Sequence, residues 1–160
     1  MNLRPAFLLL TLLAGPAQAI GQPVKGDPKG DWLVADGTAI IRIVPCGANL
    51  CGNVVWTKDT GGTDENNPDP ALRNRPIMGL PILLGMKPGN DGRWDGDVYN
   101  AENGKTYTSH IWLKAPDLLR IEGCVLGFLC AGQDWTRTTQ LETPAPAAPP
   151  ARGKAAPKAK

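Results

Sequence analysis

Eight short strand-like runs recur along the middle of this 160-residue chain, and turn-forming residues separate them. Apolar and polar residues tend to alternate within the runs, as in a strand with one buried face. Pro and Gly are frequent, and no amphipathic helix pattern is present. We therefore predict an all-β antiparallel sandwich or barrel with strands at Trp32–Ala35, Ala39–Pro45, Asn53–Thr57, Leu80–Lys87, Arg93–Asn100, Lys105–Leu113, Asp117–Cys124 and Cys130–Thr138.

The first hairpin, at residues 30–43, carries a turn signal between its two runs. Asp36-Gly37 is a dipeptide that tolerates the positive φ values of a two-residue type I′ turn. The last run contains Arg137, and pairing of the first and last strands would place its guanidinium over Trp32. We expect this cation–π contact to close the base of a barrel.

The N-terminal 19 residues have the pattern of a signal peptide. Arg4 precedes an apolar run at 5–14 that is too short to span a bilayer. Ala17-Gln18-Ala19 then matches the A-x-A cleavage pattern. We expect cleavage near Ala19 and a periplasmic or secreted protein without a transmembrane anchor.

The C-terminal residues 143–160 are dominated by Pro, Ala and Lys. Such a composition buries too little apolar surface to fold, so it predicts a disordered tail after a domain at 20–142. Of 17 basic residues, Arg4 and four in the tail lie outside this domain, which leaves 12 against 15 acidic residues. The domain charge of about −3 predicts no nucleic-acid-binding face, whereas the basic tail is a candidate contact for an envelope protein or an anionic cell wall.

One long interruption breaks the series of strands, at residues 58–79. Its prolines and asparagines favour an ordered loop, and a loop of this length usually has a function. The acids Asp64, Glu65 and Asp69 are close enough in sequence to suggest calcium, although a self-bonded turn is favoured because the spacing differs from that of an EF-hand. Arg73 and Arg75 either pair with these acids or form a fork for a carboxylate or phosphate at a barrel mouth.

The four cysteines form two closely spaced pairs. Cys46 and Cys51 flank one predicted turn, and Cys124 and Cys130 flank another. An even number of cysteines in an exported chain predicts disulfides. Bridges within each hairpin are favoured over cross-hairpin pairing, and a four-thiolate zinc site is the competing interpretation. We predict structural disulfides and no metal site.

Aromatic residues in the strands are candidates for lining a ligand pocket. We select Trp94, Tyr99, Tyr107 and Trp112, with Arg73 and Arg75 at the rim, as ligand-binding residues. Tyr107 shares one face of its strand with three further residues, whereas Trp112 shares the other face with His110. Sequence does not decide which of the two faces is inside.

No arrangement of residues for catalysis is visible. The single histidine, His110, lies in the middle of a predicted strand, and no G-x-S-x-G elbow is present. We therefore predict no enzymatic activity and no cofactor.

An ordered set of motifs resembles an uncharacterised family of exported bacterial proteins, a domain of unknown function with a lipocalin-like barrel. The segments that carry this resemblance lie within residues 27–137 and read GDW, PCGANLCGNVVW, NNPDPALRNRP, MGLPIL, RWDGDVYNAENGKTY, GCVLGFLC and WTR. Gly30-Asp31-Trp32 looks like the lipocalin G-x-W start, and Arg137 corresponds to the late-strand arginine that caps it. The cysteine pairs and the loop at 66–76 depart from lipocalins.

The resemblance implies a small eight-stranded barrel with a ligand cavity. We predict an exported carrier of a small apolar or amphipathic ligand in the bacterial envelope. The alternative is an interaction module that presents the 58–79 loop and the basic tail to an envelope protein or the cell wall.

Overall fold

The computed structural model describes residues 23–126, 128–139 and 141, within which the chain forms a closed barrel of eight antiparallel strands. Each strand pairs with its neighbours in sequence, and the first strand pairs with the last. This confirms the predicted all-β, eight-stranded antiparallel barrel. The strands are β1 Gly30–Leu33, β2 Ala39–Cys46, β3 Asn49–Thr57, β4 Pro81–Pro88, β5 Trp94–Asn100, β6 Lys105–Ala115, β7 Leu118–Val125 and β8 Leu129–Arg137.

The predicted signal peptide at 1–19 and the predicted tail at 143–160 lie outside the described residues. Within the described part, the one helical element is a 3-10 turn, Pro70–Leu72. No helix there is long and apolar enough to cross a membrane.

The β1–β2 connection corrects the prediction of a two-residue type I′ turn. Val34 and Ala39 still bond across the hairpin, so the loop contains four residues, 35–38. Gly37 alone in this loop has a positive φ, 71°. The Asp36 carboxylate instead accepts hydrogen bonds from the backbone N–H and the hydroxyl of Thr38, at 3.0 and 2.7 Å. This local side-chain bonding stabilises a longer turn, and Asp36 keeps an ordinary negative φ.

The β2–β3 connection is tight and allows β3 to begin earlier than predicted. Cys46 pairs with Asn49, and only Gly47 and Ala48 lie between them. We call this end of the barrel, which also holds the start of β1, the base. The opposite end carries the β1–β2, β3–β4, β5–β6 and β7–β8 connections, and we call it the mouth.

The base is sealed by Trp32 and Arg137. The Arg137 guanidinium lies over the fully buried Trp32 ring, 4.2 Å from its centroid. The Trp32 indole donates to the Pro28 carbonyl at 2.8 Å. Gly30, with φ of 120°, leaves room for the guanidinium, which a Cβ there would contact.

The segment before β1 crosses the base, and hydrogen bonds to its backbone groups hold it there. Arg137 donates to three carbonyls, those of Asp27, Lys29 and Pro116, at 3.0, 2.7 and 2.9 Å. Val24 donates to the Leu113 carbonyl at 2.8 Å. The barrel interior above the base is filled by buried aliphatic side chains, among them Ile43, Leu50, Leu83, Met86, Ile111 and Leu119.

Two disulfides fasten hairpins at opposite ends of the barrel. Cys46–Cys51 closes the β2–β3 turn at the base, and Cys124–Cys130 closes the β7–β8 turn at the mouth. Both bonds lie within a single hairpin, and none of the four cysteines is free. Two disulfides fit an oxidising compartment outside the cytoplasm.

Candidate functional site

The mouth half of the barrel contains a cavity of about 680 Å³. Its wall is mainly aliphatic and aromatic, and includes Val34, Ile41, Val54, Ile82, Val98, Ile121 and Trp135. Polar side chains come from the mouth loops and the adjoining strand ends, namely Asp36, Thr38, Asn100 and Glu102, and from Gln133 in the middle of β8. The cavity therefore has a mainly apolar interior and a rim that is polar at the β1–β2 and β5–β6 connections.

Small residues on β7 and β8 leave the space that forms the cavity. Gly123 pairs with Ala131 in the register of these strands, and both line the cavity. A Cβ at Gly123 would make ordinary contacts, at 3.4 Å, with Tyr107 on the neighbouring strand β6 and Val98 on β5. Because the side chains at this pair are small, the interior is open here, whereas it is packed solid at the base.

Trp135 contributes the largest side chain to the wall. It is buried, and its indole N–H has no acceptor within the described part of the chain. A buried indole N–H usually finds a partner, so an unpaired one in the cavity wall is unusual. Trp135 was not among the predicted ligand-binding residues. The alternation of β8, in which Ala131, Gln133 and Trp135 share a face, is the signal that would have found it.

Tyr107 and Tyr99, both predicted to bind ligand, line the cavity. Tyr107 pairs with Val98, and its hydroxyl accepts a hydrogen bond from Asn103 at 3.0 Å. Tyr99 is buried, and its hydroxyl donates to the Asp64 carboxylate at 2.7 Å. Burial and the neighbouring Asp64 carboxylate raise the pKa of Tyr99, which keeps the phenol protonated.

Asp64 is the centre of a buried network that fastens the 58–79 loop to the barrel. Its carboxylate accepts hydrogen bonds from Tyr99, from the Asn67 amide at 2.7 Å and from Arg75 Nε at 2.9 Å. Burial by itself would raise the pKa of Asp64, but these donors and the Arg75 charge lower it below its usual value. The loop is therefore ordered by an ionised, fully bonded carboxylate.

A second contact docks the same loop onto the β5–β6 turn. The Asn66 amide donates to the Glu102 carbonyl at 3.0 Å. Gly104, with φ of 67°, lies against the Asn66 backbone, and any Cβ at this position would overlap the Asn66 carbonyl oxygen. The close approach explains why this turn carries glycine.

Arg73 and Arg75, predicted at the rim, do not line the cavity. Arg73 donates to the Asn67 carbonyl at 2.9 Å. Arg75 forms its ion pair with Asp64 at 2.8 Å and lies over the Tyr99 ring, 5.7 Å from the centroid. Both guanidinium groups thus hold the loop. Arg75 pairs with a loop acid, as one of the two alternatives predicted, whereas Arg73 bonds to a backbone carbonyl.

Trp94 and Trp112 are also placed away from the cavity. Trp94 borders a separate depression of about 440 Å³ at the base, beside Pro28 and Leu50. Trp112 lies under the Arg93 guanidinium, 4.3 Å from the ring centroid, and does not line the cavity. Of the six predicted ligand-binding residues, the structure brings only the two tyrosines to the cavity.

The single histidine lies in an ordinary pair with a carboxylate. His110 Nδ1 lies 2.7 Å from Asp95, its partner across β5 and β6. Over the residues that the structure describes, no group of three His, Cys, Asp or Glu side chains is placed to hold a metal ion.

Comparison with known proteins agrees with this architecture. The solved structure of protein HP1028 from the human pathogen Helicobacter pylori, which belongs to the lipocalin family, superposes with a TM-score of 0.64 at 19% sequence identity. The match covers 74% of this chain and 87% of that protein, which identifies the barrel as lipocalin-like. No curated protein matches the chain in sequence. The bacterial family described as "Uncharacterized protein conserved in bacteria (DUF2147)" matches residues 30–137, and the chain belongs to that family.

Proposed function

We propose that this protein is an exported, non-enzymatic barrel that binds a small apolar or amphipathic ligand in the bacterial envelope. The observation that carries the proposal is the cavity of about 680 Å³ at the mouth. Small-molecule sites typically occupy about 300 to 1,000 Å³, are mostly apolar and have a few polar groups that orient the ligand. This cavity has those properties.

The distribution of polar groups supports an amphipathic ligand. An apolar part would contact Val98, Ile121 and Trp135, and a polar group would lie at the rim near Asn100 and Glu102. The charged residues of the lining are Asp36 and Glu102, both acidic. A neutral or cationic polar group therefore suits this rim better than an anionic one.

Export is supported by the N-terminal sequence and by the two disulfides. The mature protein then begins near Ile20, after cleavage at Ala19. The intact mass of the protein recovered from a periplasmic extract tests this boundary, and recovery of a chain that retains residues 1–19 would contradict it.

Native mass spectrometry of protein isolated from the periplasm is the direct test of ligand binding. We expect extra mass that leaves on gentle unfolding. In parallel, the neutral fluorescent probe N-phenyl-1-naphthylamine is titrated into the purified chain, and we expect saturable binding with enhanced emission. Absence of both signals would overturn the proposal.

A matched pair of variants locates the binding site. Ala131 lines the cavity, and Ala131→Trp should fill the mouth and weaken probe binding at least 10-fold. Ala71 is exposed in the 58–79 loop and does not line the cavity, so Ala71→Trp adds the same side chain without blocking it. Equal probe affinity in the two variants would place the probe elsewhere.

A further inference from the structure

The β7–β8 turn at the mouth carries four exposed large apolar side chains, three of which are the most exposed of their kind among the described residues. Leu126 is 82% exposed, Phe128 72%, Leu129 56% and Val125 44%. We call these four residues the apolar tip. All four lie between Cys124 and Cys130, whose disulfide joins the two strands directly below the turn. The other exposed large apolar residues, such as Val44 and Met78, are scattered singly, which is normal for a protein surface.

The apolar tip is also free of charge. From 123 to 133 the sequence GCVLGFLCAGQ contains no acidic or basic residue. The flanking acids, Glu122 and Asp134, are both bonded to Arg120 on the barrel wall. Water-facing turns normally carry polar residues, so four apolar side chains at one turn indicate an apolar environment.

The backbone of the tip gives an independent indication. Leu126 has a φ of 53°, and it is the single non-glycine residue with positive φ in the described part of the chain. Leucine rarely adopts this conformation, which glycine or asparagine adopts readily. Position 126 therefore carries an apolar side chain in a backbone conformation that favours glycine or asparagine.

The tip is continuous with the cavity. Val125 and Leu129 line the cavity wall as well as belonging to the tip. Leu126 and Phe128 do not line it. An apolar surface thus extends from the cavity interior, over the rim, to the end of the β7–β8 turn.

We propose that the apolar tip inserts into a lipid surface and orients the cavity mouth toward the acyl chains, so that the ligand is exchanged with the bilayer. This inference rests on the proposed function of the cavity. A stable protein interface buries about 1,200 Å² or more, and a four-residue turn is too small to supply one side of it. Shallow insertion needs only a short apolar projection, which the disulfide holds in place. The absence of basic residues from the 123–133 sequence points to hydrophobic insertion into zwitterionic lipid.

The test is co-sedimentation with phosphatidylcholine vesicles, using the chain from residue 20 to 160 so that the apolar run at 5–14 does not contribute. We expect the protein to bind the vesicles with little dependence on salt, and the Leu126→Ser/Phe128→Ser variant to partition at least 10-fold more weakly. Val44→Ser, which removes an exposed apolar side chain near the base, is the matched control and should bind like the parent.

Other outcomes would overturn the inference. Parent protein that does not sediment with vesicles, or a tip variant that sediments equally well, excludes insertion. A parent that is dimeric by analytical ultracentrifugation, and monomeric after the tip substitutions, identifies a second copy as the occupant. Probe titration without vesicles separates this inference from the proposed function, because Leu126 and Phe128 lie outside the cavity lining and their substitution should leave probe affinity unchanged.

Discussion

The two disulfide-linked hairpins at the ends of the barrel are built alike and present opposite surfaces. At the base, Cys46–Cys51 encloses the small residues Gly47 and Ala48, the polar Asn49 and the buried Leu50, beside a sealed interior. At the mouth, Cys124–Cys130 encloses the apolar tip beside an open cavity. The same covalent device therefore supports closure at one end and an exposed apolar projection at the other.

The two ends also differ in how their aromatic residues are used. Trp32 at the base is covered by Arg137, and its N–H is bonded to a carbonyl. Trp135 lines the cavity, and its N–H has no acceptor in the described part of the chain. The base aromatic is therefore fully bonded, whereas the aromatic of the cavity wall keeps an unpaired, buried donor. The base thus supplies stability, and the mouth supplies the proposed binding surface.

The largest expected effect is the difference in free energy of unfolding lost when an aromatic residue is removed from the base or from the mouth. Trp32→Ala should lower the free energy of unfolding by about 3–5 kcal/mol, because it empties a fully packed site and uncovers the Arg137 guanidinium. Tyr107→Ala, which removes an aromatic ring at the half-open mouth, should cost about 1 kcal/mol. Urea denaturation of both variants measures the difference, and equal losses would contradict a division of roles between the ends.

The next largest effect is expected in the buried network around Asp64, which fastens the 58–79 loop to the barrel. Asp64→Asn should lower stability by about 2–3 kcal/mol, since it removes an ionised acceptor shared by Tyr99, Asn67 and Arg75. Glu65→Gln alters an exposed carboxylate in the same loop and should have almost no effect. Thermal melts at pH 7 compare the two variants.

The pH dependence of the Asp64→Asn effect follows from the lowered pKa of Asp64. The carboxyl has a pKa of 3.8 when unperturbed and a lower value in the folded chain, so its contribution is fully present well above pH 3.8. It is lost as the pH falls through the folded value. The difference in stability between the parent and Asp64→Asn should therefore be constant near neutrality and shrink below about pH 4. A difference that grows on acidification would contradict an ionised Asp64.

Removing each disulfide in turn sharpens the comparison of the hairpins. Replacing either cysteine pair by serine should cost about 2 kcal/mol, because both bridges close short loops and constrain the unfolded chain to a similar extent. Only the Cys124→Ser/Cys130→Ser variant should also weaken vesicle binding, since only it loosens the apolar tip. Vesicle binding that falls equally in both variants would mean that the effect is general destabilisation.

The smallest effect concerns Leu126 alone. Leu126→Gly should raise stability by up to about 1 kcal/mol, because glycine accepts the positive φ and the exposed leucine side chain has few contacts to lose. The same variant should bind vesicles more weakly than the parent. Gly37→Ala provides the opposite control, since it places a side chain at a positive φ in the exposed β1–β2 turn and should destabilise. Unchanged vesicle binding in Leu126→Gly would remove Leu126 from the inserted surface.

Much of the fold was readable from local patterns. Alternation and turn residues located all eight strands to within a few residues, because each strand buries one face and must alternate to do so. The β1–β2 turn was wrong in type, since the Asp36 side chain bonds to Thr38 and lengthens the loop. The alternation of β6 placed Tyr107 and Trp112 on opposite faces, but it could not say which face was inside.

The candidate site depended more on tertiary structure. Arg73 and Arg75 looked like rim residues, because sequence shows their charge and not the Asn67 carbonyl and Asp64 carboxylate that engage them. Trp135 and the small residues Gly123 and Ala131 were missed, since a cavity wall is defined by what faces it across the barrel.

The sequence by itself determined the strands, their number, the closely spaced cysteine pairs and the family resemblance, all of which follow from short-range pattern and residue type. The tertiary structure decided which faces turn inward, which disulfides form and where space remains inside the barrel. It also placed the apolar tip beside the cavity. These properties depend on contacts between residues far apart in the chain, such as Asp64 with Tyr99 and Trp32 with Arg137, and no local pattern encodes them.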